Sequence, residues 1–135
     1  MKTRSIRQKA WFNTTPHEVY EFLMDSKKHS KLGGKCTISR KVGGKFSISD
    51  GYILGENLEL VPDEKIVQKW RALEDCWPED HYSVVTFKLA PIKGKEGTGL
   101  TFTQTGIPDS CGDRFESGWK EYYWEPMKGF LDKDK

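Results

Sequence analysis

The sequence predicts an α+β fold: one antiparallel sheet with its helices gathered on a single face. Three observations predict it. Apolar and polar residues alternate with period two through most of residues 35–105, with only short turns between the runs. A capped amphipathic segment follows the first strand. The last segment, 111–131, switches to a helical period and carries a wide aromatic stripe. The 135 residues are read as one domain, 1–135, long enough to bury a core of its own.

Thr3–Phe12 is read as the first strand, with Ile6, Ala10 and Phe12 on one side, Arg7, Lys9 and Trp11 on the other, and Gln8 interrupting the apolar face. In Thr14-Thr15-Pro16-His17-Glu18, Thr15 suits a helix cap, Pro16 the first helical position, and Glu18 completes a capping box. Val19, Phe22 and Leu23 then form one apolar helix face. The basic stretch 27–31 is read as a second short helix, ended by Gly33-Gly34.

Segments 36–41 and 45–49 flank Val42-Gly43-Gly44, a hairpin signal. Phe46 and Ile48 supply the apolar face of the second arm. After Asp50-Gly51, residues 52–60 alternate through Leu54, Glu56 and Leu58. After Pro62-Asp63-Glu64, residues 65–73 place Ile66, Trp70 and Ala72 on a face shared with Gln68. A loop over 74–81 leads to Ser83, Val85, Phe87 and Leu89 on one face. The glycine-rich loop over 91–98 leads to 100–105, where Leu100 and Phe102 share a face. Strands adjacent in sequence with short turns make an antiparallel meander the economical reading. In the final helix Phe115, Trp119, Tyr122, Tyr123, Met127 and Phe130 form the stripe, and Pro126 is expected to kink it or begin its last part.

Composition excludes several classes. Mean hydropathy is −0.71, and no apolar run approaches the ~20 residues of a spanning helix. Aromatics make up 13% of the chain, with five Trp, which argues against disorder. A net charge of +2 argues against a nucleic-acid binder. That total hides an asymmetry: residues 1–45 hold 11 Lys+Arg and 3 acids, and the rest 11 Lys+Arg and 17 acids. Such polarity could orient an acidic partner, although solvation is the plainer explanation. Cys36, Cys76 and Cys111 are odd in number and lack CxxC spacing. With no secretory segment visible after Met1, they are read as thiols of a reducing cytoplasm, without a disulfide framework.

The search for chemistry is negative. His17, His29 and His81 show no HExxH spacing and are read as surface or turn residues, so no metal site and no cofactor are expected. There is no GxSxG elbow, and the loop around Gly94, Gly97 and Gly99 lacks the Gly-Lys-Ser/Thr ending of a phosphate loop. Glu56 is the one acid on its strand face, with Gln68 and Gln104 on similar faces; a general base there is the weaker reading, a polar group at a cavity mouth the stronger. Trp119 and Tyr122 are read as core, whereas Trp77, in a loop beside Pro78, and Trp124, off the stripe, are the candidates for exposed contacts.

Blocks in fixed order carry a resemblance: Gly43-Gly44-Lys45-Phe46, Asp50-Gly51-Tyr52-Ile53-Leu54-Gly55, Leu60-Val61-Pro62, and Lys65-Ile66-Val67-Gln68-Lys69-Trp70-Arg71. Trp77-Pro78-Glu79-Asp80-His81-Tyr82-Ser83, Thr103-Gln104-Thr105-Gly106-Ile107-Pro108 and Gly118-Trp119-Lys120-Glu121-Tyr122-Tyr123-Trp124-Glu125-Pro126-Met127-Lys128 follow. Together they resemble the C-terminal domain of the activator of heat shock protein 90 ATPase. The resemblance implies the START-like helix-grip fold of the birch-pollen-allergen superfamily, a curved sheet of about six or seven strands gripping a long C-terminal helix. It implies a non-enzymatic co-chaperone module with heat shock protein 90 as partner. The co-chaperone's separate N-terminal domain has no counterpart in these residues, and the opening at Met1 slightly favours a stand-alone member.

On that reading, Lys27, Lys28, Lys31 and Lys35, with Trp77 and Trp124, are the partner-binding candidates. The alternative, drawn from the wider superfamily, is a carrier of a hydrophobic small molecule between sheet and helix. Its cavity would be lined by Phe46, Ile48, Leu54, Trp70, Phe87, Phe102, Trp119, Tyr122 and Met127, with Glu56, Gln68 and Gln104 as the polar groups.

Overall fold

A computed structural model describes residues 2–94 and 96–132. Seven strands form one antiparallel sheet in the order β1-β7-β6-β5-β4-β3-β2. They are β1 (Thr3–Phe12), β2 (Thr37–Ile38), β3 (Lys45–Ile48), β4 (Ile53–Val61), β5 (Lys65–Ala72), β6 (Ser83–Pro91) and β7 (Thr98–Pro108). Every neighbour pair except β1–β7 is consecutive in sequence, so the meander is present. Between β1 and β2 lie α1 (Pro16–Met24), α2 (Ser26–His29) and a 3₁₀ turn, Ser30–Leu32. The chain ends in α3 (Gly112–Trp119), a π-helical turn (Lys120–Trp124) and α4 (Glu125–Leu131), which run on as one long helix.

Local chemistry explains the boundaries. Thr15 Oγ1 accepts the backbone N–H of Glu18 at 3.2 Å, which satisfies one of the free donors at the start of α1, and Pro16 opens the helix. Gly43, at φ 83°, lets the β2–β3 connection turn back where a side chain would be strained. Pro126 lies inside this continuous helix, directly after the π-helical turn, and has no N–H to bond the turn before it.

The core lies between the sheet's concave face and the C-terminal helix. Ile66, Phe102 and Met127 are fully enclosed. Trp119 sits at its centre, with ring centroids 4.2 Å from Phe102 and 5.4 Å from Trp70. Tilted and edge-on contacts of this kind favour aromatic pairs beyond their buried area.

Four sequence expectations are corrected here. Leu54 and Glu56 face away from the core, because the buried face of β4 is Ile53, Gly55 and Asn57. A bulge between Asn57 and Glu59 then shifts the register, leaving Leu58 exposed. Tyr122 stands 64% exposed while Tyr123 and Trp124 are buried, since the wider π turn rotates the aromatic stripe by about one position. Trp77 is likewise buried, seated on Trp70 and Phe115 at 5.7 and 5.2 Å. Lastly, Cys76 and Cys111 form a disulfide, Cα–Cα 5.9 Å, tying the loop after β5 to the start of α3. Cys36 is free and buried.

Candidate functional site

A cleft of about 360 Å³ opens beside the C-terminal helix, between the Ser26–Leu32 segment and the strands β3, β4 and β5. Its floor is aromatic and aliphatic: Ile48 and Ile53 from neighbouring strands, Trp70 from β5, Phe115 and Trp119 from α3. Period-two placement on curved strands and a helical spacing of four bring these residues together. Gly118 leaves the helix side of the cleft without a side chain, so the helix backbone itself forms part of the wall.

Two polar groups close the inner end. His29 is buried, contrary to the surface or turn placement expected from sequence. Its Nδ1 lies 2.9 Å from the Leu23 carbonyl, which can only accept, so Nδ1 carries the proton. Nε2 then accepts the hydroxyl hydrogen of Tyr123 at 2.8 Å. Burial pushes the His29 pKa down and the Tyr123 pKa far up, so both groups are neutral. At the mouth, Arg114 pairs with Glu74 at 2.7 Å, and Glu74 also accepts the Tyr52 hydroxyl. Burial, and next the bond to Glu74, raise the Tyr52 pKa.

The remaining cavity candidates are packing residues. Phe46, Gln68 and Phe87 border a void of about 10 Å³, too small for an organic ligand, and Phe46 also borders an outer groove on the other side of the sheet edge. Gln104 takes the Trp119 indole N–H at 2.7 Å and donates to Ser83 Oγ at 2.9 Å. Gln68 donates to Asn57 Oδ1 at 2.9 Å, and Asn57 in turn holds the Ser39 and Lys41 carbonyls at 2.7 and 3.0 Å. Both glutamines are thus spent on buried networks that fix the sheet and helix. Phe102 and Met127 are enclosed in the core. Of the sequence candidates, Ile48, Trp70, Trp119 and Tyr122 reach the cleft, Tyr122 at its rim. Leu54 and Glu56 instead border an outer groove, with Lys69 Nζ 4.0 Å from Glu56.

Among the partner-binding candidates, Lys27, Lys31 and Lys35 are exposed and Lys28 half-buried. Lys31 Nζ lies 5.8 Å from the centroid of the exposed Phe130 ring. Trp77 and Trp124 are removed as contact residues by burial; the Trp124 indole donates to Gln8 Oε1 at 2.7 Å, and Trp77 to the His81 carbonyl at 2.8 Å. Sequence reasoning missed His29, Tyr52, Glu74 and Arg114, which converge only through loop and helix placement. Among the described residues, no group of His, Cys, Asp and Glu is arranged to hold a metal ion, and no helix is long and apolar enough to cross a membrane.

Residues 13–132 match the family described as activator of Hsp90 ATPase homolog 1-like protein. The chain is 35% identical over 127 residues to activator of 90 kDa heat shock protein ATPase homolog 1 of Homo sapiens, covering 93% of this chain and 36% of that protein. It is 35% identical to the activator homolog of Dictyostelium discoideum, covering 93% and 32%. The chain therefore spans about a third of the length of these relatives. In structure it is similar to an HSP90 activator from Plasmodium falciparum, with a TM-score of 0.86, 28% identity, and 93% and 94% of the two chains covered.

Proposed function

The chain belongs to the activator of Hsp90 ATPase homolog 1-like family, and on that premise we propose that it is a non-enzymatic, cytoplasmic co-chaperone module that docks on heat shock protein 90 and changes its rate of ATP hydrolysis. The family match over residues 13–132 carries this reading. The filled interior supports it, because aromatic packing leaves most chemistry to the surface. Lys27, Lys31 and Lys35, with the exposed ring of Phe130 beside Lys31, supply contacts suited to an acidic, partly apolar partner. Calorimetric titration of the chain into heat shock protein 90 tests it. Saturable binding weakened by reversing Lys27 and Lys31 to Glu is expected; absence of binding sinks it.

The cleft favours a second reading, a carrier of a small hydrophobic molecule. Its volume of about 360 Å³ falls at the small end of ligand pockets. A flat apolar ligand would lie on Trp70 and Trp119. Native mass spectrometry of the purified chain separates the readings: a retained small molecule supports the carrier, and a bare mass at every collision energy removes it.

A further inference from the structure

The outer face of the sheet, turned away from the cleft and the C-terminal helix, carries its own charge pattern. Lys9 on β1 is paired with Thr101 on β7, Thr101 with Lys88 on β6, and Lys88 with Lys65 on β5. Three lysines thus stand in one row across four strands, with Arg7 beside them. Directly opposed like charges, as at Lys65 and Lys88, destabilise a sheet. Lys65 has Glu59 at 3.2 Å. Among the described residues, Arg7, Lys9 and Lys88 have no acidic partner and are exposed. Arg7, Lys65 and Lys88 line a groove of about 660 Å³, with Glu59 also on its wall.

One large apolar residue adjoins the row. Trp11 is 55% exposed at the end of β1. Its neighbours across the strands are Gly99 and then Ala90, and one edge of the indole lies over Gly99, within 3.9–4.0 Å of where a Cβ there would sit, leaving the rest of the ring exposed. A prominent aromatic with arginine and lysine around it is the pattern of an interface anchor.

We propose that this outer face docks an acidic protein segment bearing an apolar residue, with Trp11 taking the apolar residue and Arg7, Lys9 and Lys88 the carboxylates. Charge complementarity selects that occupant: among the described residues Arg7, Lys9 and Lys88 are exposed without an acidic partner, and the exposed Trp11 on the same face suits an apolar side chain, which a bare polyphosphate lacks. The surface is distinct from the cleft and from the lysines of the Ser26–Leu32 segment. It serves an acidic partner whether or not that partner is heat shock protein 90.

The test is a titration of the isotopically labelled chain, followed by backbone amide shifts. The probe is a synthetic peptide of alternating Glu and Asp with one central Leu. Saturable shifts concentrated at Lys9, Trp11, Gly99, Thr101 and Lys88 are expected. Lys9→Glu with Lys88→Glu should weaken binding by about tenfold or more, and Trp11→Ser by a similar factor. Lys88→Glu should also raise the melting temperature, by relieving the Lys65–Lys88 repulsion, which shows that the variant is folded. Four results would overturn the proposal: shifts located elsewhere, equal binding of the Gln/Asn version of the peptide, indifference to the charge reversals, or tighter binding at this face of single-stranded DNA or phosphatidylserine vesicles.

Discussion

Tyr123 donates its hydroxyl hydrogen to Nε2 of His29 across 2.8 Å, linking the C-terminal helix to α2 through two buried side chains at the inner end of the cleft. Because Nδ1 of the same ring is bound to the Leu23 carbonyl, the ring is held in one neutral tautomer. Protonating it would turn Nε2 into a donor, so the Tyr123 hydroxyl would have to rotate and accept, and a buried positive charge would be left without an acidic partner.

Stability should therefore fall in mild acid. The folded pKa of His29 is depressed, first by burial, so the unfolded chain binds the extra proton. The contribution is fully present above about pH 6.5 and is lost as pH falls below it, with a limiting slope of about 1.4 kcal/mol per pH unit. His17 acts with opposite sign, since its bond to Asp63 raises its pKa and its contribution fades as pH rises. It is exposed, so its effect is small. Melting temperatures from pH 8 to 5 should drop for the wild-type chain and flatten for His29→Gln. An unchanged slope in the variant would assign the acid sensitivity elsewhere.

Tyr123→Phe should cost about 1–2 kcal/mol at pH 8, because it leaves the His29 acceptor buried without a donor. Urea unfolding of the two proteins measures it. A cost near zero would mean that water reaches the pair.

Reduction should destabilise the chain by about 3–4 kcal/mol, the loop-closure value for a link between residues 35 apart. The loss should fall on the loop that buries Trp77 between Trp70 and Phe115. Hydrogen exchange with and without dithiothreitol checks this: residues 74–81 should lose protection before β6 and β7. Uniform loss across the sheet would contradict a local latch.

Gly55→Ala should be strongly destabilising, by about 3 kcal/mol. A Cβ there would sit 2.0 Å from the Lys69 carbonyl and 2.4 Å from the Phe46 ring. Thermal unfolding shows the effect. Tolerance would mean that the β4–β5 backbone can shift away at the Lys69 carbonyl as well as that Phe46 can adopt another rotamer.

The faces of β1, β5, β6 and β7 are legible in the sequence because each has one apolar and one polar side. The face of β4 is not. Leu54 and Leu58 outweigh Gly55 and Asn57 in any hydrophobic count, yet glycine is required where Phe46 crosses, and Asn57 is required to hold the Ser39 and Lys41 carbonyls. Tyr122 is misplaced for another reason. A helical period of 3.6 puts both Tyr122 and Tyr123 on the stripe, and the π turn at Lys120–Trp124 keeps Tyr123 inward while turning Tyr122 out. Trp77 is polar at one end and sits beside Pro78, which reads as a surface loop. The Cys76–Cys111 link that draws this loop onto α3 joins segments far apart in sequence. The cleft's polar rim is hidden similarly, since Tyr52, Glu74 and Arg114 meet only in the folded chain.

Filling the cleft separates docking from carriage in one experiment. Gly118 has room for a side chain on the cleft wall, its nearest neighbour being Tyr122 at 3.8 Å. The measurement is the ATP hydrolysis rate of heat shock protein 90 at saturating amounts of the wild-type chain and of Gly118→Phe. A docking module predicts a changed rate that is the same for both chains. No change with either chain, or an effect lost when the cleft is filled, would contradict it.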